Sequence, residues 1–222
     1  VPLLRAFGER VDMLLLSHRD SDHVGGARAI LATQPGASVL SSIEDDHELQ
    51  GTRPAMRCQA GQRWTWDGVD FSVLHPLPAD YAAPAKPNAL SCVLRVQAGD
   101  ASALLAGDIE APQEQVLLAR GADLAADVLL VPHHGSRTSS SAPFIDAVQP
   151  RWALVQSGYR NRFGHAAPAV LARYAEGGAR VVDSPRCGAM RWHSGRPDVV
   201  RCQRDEARRY WHHEPMPPIG GR

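Results

Sequence analysis

Residues 17–23 read Ser-His-Arg-Asp-Ser-Asp-His, so two imidazoles and two carboxylates fall within six positions. They follow directly on the apolar run Met13-Leu14-Leu15-Leu16, and Gly25 and Gly26 come just after. A short apolar run of this kind reads as a buried strand. The ionisable groups therefore leave the strand together, in one tight loop. Asp and Ser by themselves would make an ordinary polar turn. The full pattern His-x-Asp-x-Asp-His asks for more, because ionisable groups crowded at a buried strand end lose solvation unless a cation sits among them. Imidazole nitrogen and carboxylate oxygen are donors that zinc, manganese and iron accept. His18, Asp20, Asp22 and His23 are thus candidate ligands of a divalent metal pair.

Three further strand ends carry the same kind of residue. Leu104-Leu105-Ala106-Gly107-Asp108 is an apolar strand closing on Gly-Asp, His133-His134-Gly135-Ser136 follows the strand expected at 127–131, and Asn161-Arg162-Phe163-Gly164-His165 stands between an expected strand and helix. Layered α/β folds carry their sites on loops at strand ends. A carboxylate such as Asp108 can bridge two cations about 3.5–4 Å apart, one oxygen on each. His133 and His134 are candidates for ligation or proton transfer, and His165 for ligation. His47, His75 and His193 lack this setting, though His75, at a strand end before Pro76, keeps a weak claim; His212 and His213 read as tail residues.

Patterning places strands at residues 11–16 and 38–42, a hairpin over 64–74 turning at Asp67-Gly68, and a second hairpin from 91–96 and 101–106 turning near Gly99-Asp100. Helices are expected at 27–32, 110–120, 143–148 and 168–176, strands at 127–131 and 152–156, and closing strands at 180–183, 189–193 and 199–203. Residues 79–88 read as an irregular loop and 212–222 as a disordered tail. Hairpins followed by alternating strands and helices describe a mixed, layered α/β protein. No run of about 18 apolar residues is present, so no helix is expected to cross a membrane. The net charge is zero but segregated: residues 1–150 hold 11 Lys+Arg against 18 Asp+Glu, and 151–222 hold 13 Arg against 6. A basic back third rich in Arg suits a polyanionic partner. Four Cys permit the pairs Cys58–Cys92 and Cys187–Cys202, which would need an oxidising compartment; buried free thiols are the alternative.

The metal loop, the Gly-Asp strand end and the later His together resemble the metallo-β-lactamase superfamily. That superfamily's usual loop is His-x-His-x-Asp-His, and here Asp20 replaces the second His. This variant, with residues 131–141 (Val-Pro-His-His-Gly-Ser-Arg-Thr-Ser-Ser-Ser) and 161–165 (Asn-Arg-Phe-Gly-His), is similar to the carboxy-terminal domain of the ComEC family of DNA-internalization competence proteins. The resemblance implies a four-layer αββα fold over residues 1–211, lacking its first N-terminal strands as if cut from a longer protein. It implies two divalent metal ions, zinc or manganese. His18 and Asp20 would hold one, Asp22 and His23 the other; Asp108 would bridge them and His165 would be a late ligand. His133 and His134 would be a ligand, a proton donor, or one of each. The superfamily's middle His is absent, with Asn88-Ala89-Leu90-Ser91 in its region, so the first site is expected to be weaker or to prefer a harder ion.

The function so implied is a metal-dependent nuclease on the outer, periplasmic face of the bacterial inner membrane, degrading the DNA strand that is not imported. Its partners would be that DNA, the transmembrane channel part of the same parent protein, and other DNA-uptake proteins. Asp22, His133 and His134 would serve catalysis. Ser136 and Thr138 would donate to phosphate, and Arg137, Arg160 and Arg162 would line the strand path. Two alternatives stay open: a hydrolase of small phosphodiesters, lactones or thioesters, and a metal-stabilised DNA-binding or gating module without turnover.

Overall fold

The computed structural model describes residues 2–210, so the tail expected over 212–222 lies outside the described residues. Three parallel strands, β1 (Met13–Leu16), β2 (Ser38–Ser41) and β3 (Met56–Arg57), form a first sheet in the order β1-β2-β3. A second sheet holds β4 (Arg63–Trp66), β5 (Val69–His75), β6 (Val93–Ala98), β7 (Ala101–Leu105), β8 (Val128–Leu130), β9 (Trp152–Val155) and β10 (Arg180–Asp183), in the order β10-β9-β8-β7-β6-β5-β4. Its β4–β7 half is antiparallel and its β7–β10 half parallel. A two-residue turn, with Asp67 and Gly68 both at positive φ, joins β4 to β5, as a tight hairpin requires.

Period-two alternation divides the strands between layers. Leu14 and Leu16 of β1 pack with Leu31 and Leu49, from helices α3 (Ala27–Thr33) and α4 (Glu48–Thr52). Met13 and Leu15 point the other way, into a cluster with Val73 and Leu94 of the second sheet. On that sheet Val93, Leu104 and Leu129 face outward onto Leu117, Phe144 and Val170, which belong to α5 (Ala111–Ala119), α6 (Ala142–Val148) and α7 (Pro168–Glu176). The result is helix, sheet, sheet, helix. The unbroken apolar run of β1 is what a strand buried on both faces needs. The short helices α1 (Pro2–Phe7) and α2 (Ser21–Val24), like α4, fall where no helical period is visible in the sequence.

The expected closing strands differ from expectation in one respect. Residues 180–183 join the large sheet, but β11 (Met190–Trp192) and β12 (Val200–Cys202) pair only with each other. Each is three residues long, and the pair is held by other means. The Pro197 carbonyl accepts from the indole N–H of both Trp152 and Trp192, and Cys187 is bonded to Cys202 across a Cα–Cα distance of 4.6 Å. Cys58 and Cys92 are bonded across the two main sheets, with Cα atoms 6.1 Å apart. The thiols are therefore paired rather than free.

The Cys187–Cys202 bond closes a 15-residue separation, a span for which loop closure contributes about 3 kcal/mol. Cys187→Ser/Cys202→Ser is expected to lower unfolding stability by about that amount or less, read as a lower urea midpoint with an equal or steeper slope, because the freed loop lets the unfolded chain expand. An unchanged midpoint would show that the ribbon contributes nothing to the cooperative unit.

Candidate metal centre

The four strand ends singled out in the sequence meet at one edge of the two sheets. Behind β1, Asp20 opens α2, accepting the backbone N–H groups of His23 (2.9 Å) and Val24 (3.0 Å) on its carbonyl. That single turn swings Asp22 and His23 back over the strand end. Behind β7, Gly107 sits at φ +57°, and a Cβ there would lie 3.0 Å from the Ser91 Cβ and 3.1 Å from the Ser17 Cβ. Both the conformation and the space therefore require glycine, and the Asp108 that follows is delivered against the metal loop. Behind β8, His133 and His134 both adopt left-handed backbone (φ 49° and 54°). Two successive non-glycine residues there are a mark of a functional turn. The His133 N–H donates to the Gly107 carbonyl (3.1 Å), tying the two loops together.

A ring of polar contacts aims the side chains inward. The Ser17 hydroxyl lies 3.0 Å from Nδ1 of His18 and 3.0 Å from Nδ1 of His23, and Ser91 Oγ lies 3.3 Å from Nδ1 of His18. Ser91 Oγ also accepts the Asp108 N–H (3.1 Å). Both imidazoles thus present a buried Nε2 to the centre, that of His18 without a hydrogen-bond partner and that of His23 facing the Asp108 carboxylate. His134 is held by the Gln156 carbonyl at Nδ1 (2.8 Å) and directs Nε2 at Asp22 (3.0 Å) and Asp108 (3.5 Å). Asp108, only 5% exposed, turns Oδ1 to His23 Nε2 (3.2 Å) and Oδ2 to His134. Ligand atoms converge in two groups, His18–His23–Asp108 and Asp22–His23–His134, each with its atoms within 4.8 Å of one another. Buried imidazole nitrogens facing carboxylates fit divalent cations in the manner of zinc or manganese sites, and Ser17 and Ser91 supply the outer hydrogen bonds that such His ligands usually make.

Burial dominates the electrostatics of His18 and, with the neighbouring His23 charge, holds its imidazole below the ordinary range. Burial also acts to lower His23, but the Asp108 carboxylate beside it outweighs burial and raises it. For Asp108 burial acts upward, and the imidazoles of His23, His134 and His18 prevail and keep the carboxyl low. His75 is lowered by burial; its Nδ1 donates to the Ser91 carbonyl (2.9 Å), so it braces the centre from behind.

A family model described as the metallo-beta-lactamase superfamily matches residues 2–158. The chain belongs to the metallo-beta-lactamase superfamily. Within it, the chain is a ComEC-like domain: it is 38% identical over 218 residues to the competence protein ComA of Neisseria gonorrhoeae, covering 97% of this chain and 30% of that protein. It is 36% identical over 167 residues to recombination protein 2 of Haemophilus influenzae, covering 74% of this chain and 20% of that protein. The chain therefore spans less than a third of the length of these relatives. Among solved structures the CmlA beta-hydroxylase aligns with a TM-score of 0.52 at 14% identity, over 78% of this chain and 43% of that one. That likeness concerns the αββα fold alone.

Other residues singled out in the sequence fall around this superfamily centre. His133 stands at its rim, Nε2 4.0 Å from Asp108, with Nδ1 3.2 Å from Glu110 Oε1 and 3.3 Å from Thr138 Oγ1. Thr138 itself donates to Glu110 (2.8 Å) and lies 3.0 Å from the buried Ser136 hydroxyl. Arg137 is exposed on the same turn. Asp20 lies 3.5 Å from His18 Nε2. His165 enters neither ligand group; its ring is 5.6 Å from that of His133 and 6.3 Å from that of His134, and burial with these neighbours lowers its pKa. Arg160 and Arg162 are exposed beside Tyr159 and Phe163. Sequence reasoning assigned no role to Ser17, Glu110, Glu114 or Gln156. Glu114 is fully buried in α5 and accepts the N–H groups of Ser140 (2.5 Å) and Ser141 (2.8 Å), clamping the far end of the His133 loop. An acid on the buried face of a helix was its one sequence signal.

Ser17→Ala removes the shared partner of two imidazoles, and is expected to weaken Mn²⁺ or Zn²⁺ binding about 10–100-fold with little loss of thermal stability, as measured by metal titration. Unchanged affinity would deny Ser17 its orienting role. For stability in the absence of metal, a His with a depressed folded pKa binds fewer protons folded than unfolded. The contribution of His75 is therefore present above the ordinary imidazole value of 6.5 and lost as pH falls through its lower folded value. His23, raised, works in the opposite sense: its contribution is complete below 6.5 and lost as pH rises through its folded value. His75→Asn is expected to flatten the acid-side decline in the urea midpoint between pH 7 and 5. An unaltered slope there would contradict the assignment.

Proposed function

We propose that this chain is a metal-dependent phosphodiesterase, the nuclease domain of a competence DNA-uptake channel protein, acting on the strand that is not imported. One observation carries the reading: two groups of ligand atoms, His18–His23–Asp108 and Asp22–His23–His134, share His23, and the Asp108 carboxylate lies 3.2 Å from His23 Nε2 and 3.5 Å from His134 Nε2. Similarity to competence proteins supports DNA as the substrate. His18 and Asp20 would hold one cation and Asp22 and His134 the other, with His23 and Asp108 available to both. Bound there, two divalent cations supply charge neutralisation at phosphate and a water acidic enough to give hydroxide near neutral pH.

The protein's own groups divide the remaining tasks. His134 is fixed at Nδ1 by the Gln156 carbonyl, so its Nε2 lone pair faces the centre as a ligand's should. His133 has Nδ1 3.2 Å from Glu110 Oε1, and it sits at the rim rather than inside the ligand groups. It is the proton donor to the leaving sugar oxygen, a task that a positioned imidazole performs in general acid catalysis. Asp22, exposed at the mouth and 3.0 Å from His134, positions that ligand and meets the substrate side. Ser136 and Thr138 hold Glu110 and His133 in place and lie where a phosphate oxygen would arrive. Arg137, Arg160 and Arg162 follow the strand backbone, each contact adding salt-sensitive affinity. The two disulfides suit an oxidising compartment, and hence the outer face of the inner membrane, beside the channel part of the parent protein and other uptake proteins.

The test is digestion of labelled DNA by the purified chain, with EDTA and Mn²⁺ or Zn²⁺ add-back. Asp108→Ala is expected to lose more activity than the roughly 10–100-fold typical of an outer partner. His133→Gln is expected to keep metal occupancy while lowering kcat about 10²–10⁴-fold, and His134→Gln to lose metal. Equal digestion by wild type and Asp108→Ala would remove the bridging role. Metal-dependent hydrolysis of small diesters with long DNA left intact would transfer the activity to small molecules.

A further inference from the structure

The loop between β9 and α7 carries an exposed aromatic ring, Phe163, that belongs neither to the hydrophobic core nor to the metal-ligand groups. Phe163 is 67% exposed. Single exposed apolar residues are ordinary on a protein surface, but this one is organised. The Phe163 ring stacks on His165, with centroids 5.7 Å apart and planes 18° apart, and His165 lies nearly parallel to His134 at 28°. A series of near-parallel rings therefore leads from solvent to the metal centre. Beside it lies a cleft of about 450 Å³ lined by Asp22, His134, Gln156, Gly158, Phe163 and His165, a size that suits a small ligand or one residue of a polymer.

The charges fit the same occupant. Arg160 lies over Tyr159 (5.3 Å) and Arg162 over Phe163 (4.8 Å), and neither guanidinium has a carboxylate partner among the described residues. An aromatic face flanked by guanidinium groups is how proteins hold single-stranded nucleic acid: the rings stack bases and the cations follow phosphates. The side-chain amide of Asn161 and the Ser184 hydroxyl, which also reach this cleft, are engaged with the His165 and Ser157 backbone. Few groups are left to read base edges.

We infer that Phe163 is a stacking platform for an unpaired nucleobase, so that the centre receives single-stranded or locally opened DNA, without strong sequence preference, rather than intact duplex. A base entering beside Phe163 displaces the Arg162 guanidinium, since an exposed cation–π contact is weaker than base–aromatic stacking. The freed guanidinium then meets the adjoining phosphate. The inference rests on the DNA-strand reading of the site and deepens it.

The experiment is a double-mutant cycle on binding. A fluorescein-labelled phosphorothioate 12-mer, which resists hydrolysis, is titrated by anisotropy with Mn²⁺-loaded wild type and Phe163→Leu. The same titrations use an abasic strand of equal charge. Wild type is expected to bind the base-bearing strand about tenfold more tightly than the abasic one. Phe163→Leu should lose about that factor, with the two losses overlapping rather than adding, and Phe163→Trp should retain or improve binding. A blunt duplex should bind more weakly and ignore the substitution. Full affinity in Phe163→Leu, or equal losses on both strands, overturns the platform, as does a Phe163 effect seen only with anionic phosphatidylglycerol vesicles. Strand binding that needs Phe163 but brings no metal-dependent cleavage of ordinary DNA would remove the phosphodiesterase reading and leave the platform. Cleavage indifferent to Phe163 would do the reverse.

Discussion

The contact between the buried Asp108 carboxylate and the imidazoles of His23 and His134 is the constraint on which the rest of the structure depends. A carboxylate 5% exposed loses most of its hydration, and that loss must be offset by neighbouring charge and hydrogen bonds. The offsets come from three separate strand ends. His23 arrives from behind β1 at 3.2 Å, His134 from behind β8 at 3.5 Å, and the backbone N–H of Asp108 itself is held by Ser91, before β6. The sheets could pack with many sequences. Only one in which these ends converge gives the acid an environment.

The convergence is built from small, specific features. Gly107 lets the β7 end approach Ser17 and Ser91 more closely than any side chain would. The left-handed turn at His133 and His134 separates two adjacent imidazoles, so that one faces the ligand groups and the other faces Glu110. Glu114 and Arg173 secure the end of that turn, the carboxylate on the Ser140 and Ser141 N–H groups and the guanidinium on the Ser140 carbonyl. The alternating burial of β1 and β6 orients this edge by placing helices outside and the opposite sheet inside. Packing, turn geometry and site chemistry thus agree, as a well-specified fold requires.

Much of this was legible in the sequence because the signals were local. The run Met13–Leu16, the turn at Asp67-Gly68 and the Gly-Asp after β7 each declare themselves within a few residues. Ionisable residues at four strand ends pointed to one site, and they lie at one edge. What stayed hidden depends on distance along the chain. Glu110 is only the first residue of an expected helix until the fold brings His133, 23 positions later, to 3.2 Å. Gln156 contributes a backbone carbonyl, which side-chain identity cannot reveal. The strands near residues 190 and 200 have strand-like patterning, yet they pair apart from the large sheet because a disulfide and the Pro197 carbonyl hold them elsewhere.

Membership of the metallo-beta-lactamase superfamily explains the edge-sited centre, and likeness to competence proteins supports reading it as a nuclease, with Asp20 where the superfamily usually has His. The proposed nuclease reading calls for one physical event: two cations drawn to the two oxygens of one buried acid. Anomalous diffraction from crystals soaked in Mn²⁺ measures that event directly. Two peaks are expected within coordination distance of the Asp108 carboxylate, one also touching His18 and the other His134. A single peak remote from Asp108, or none at this edge in well-ordered crystals, would contradict the proposal.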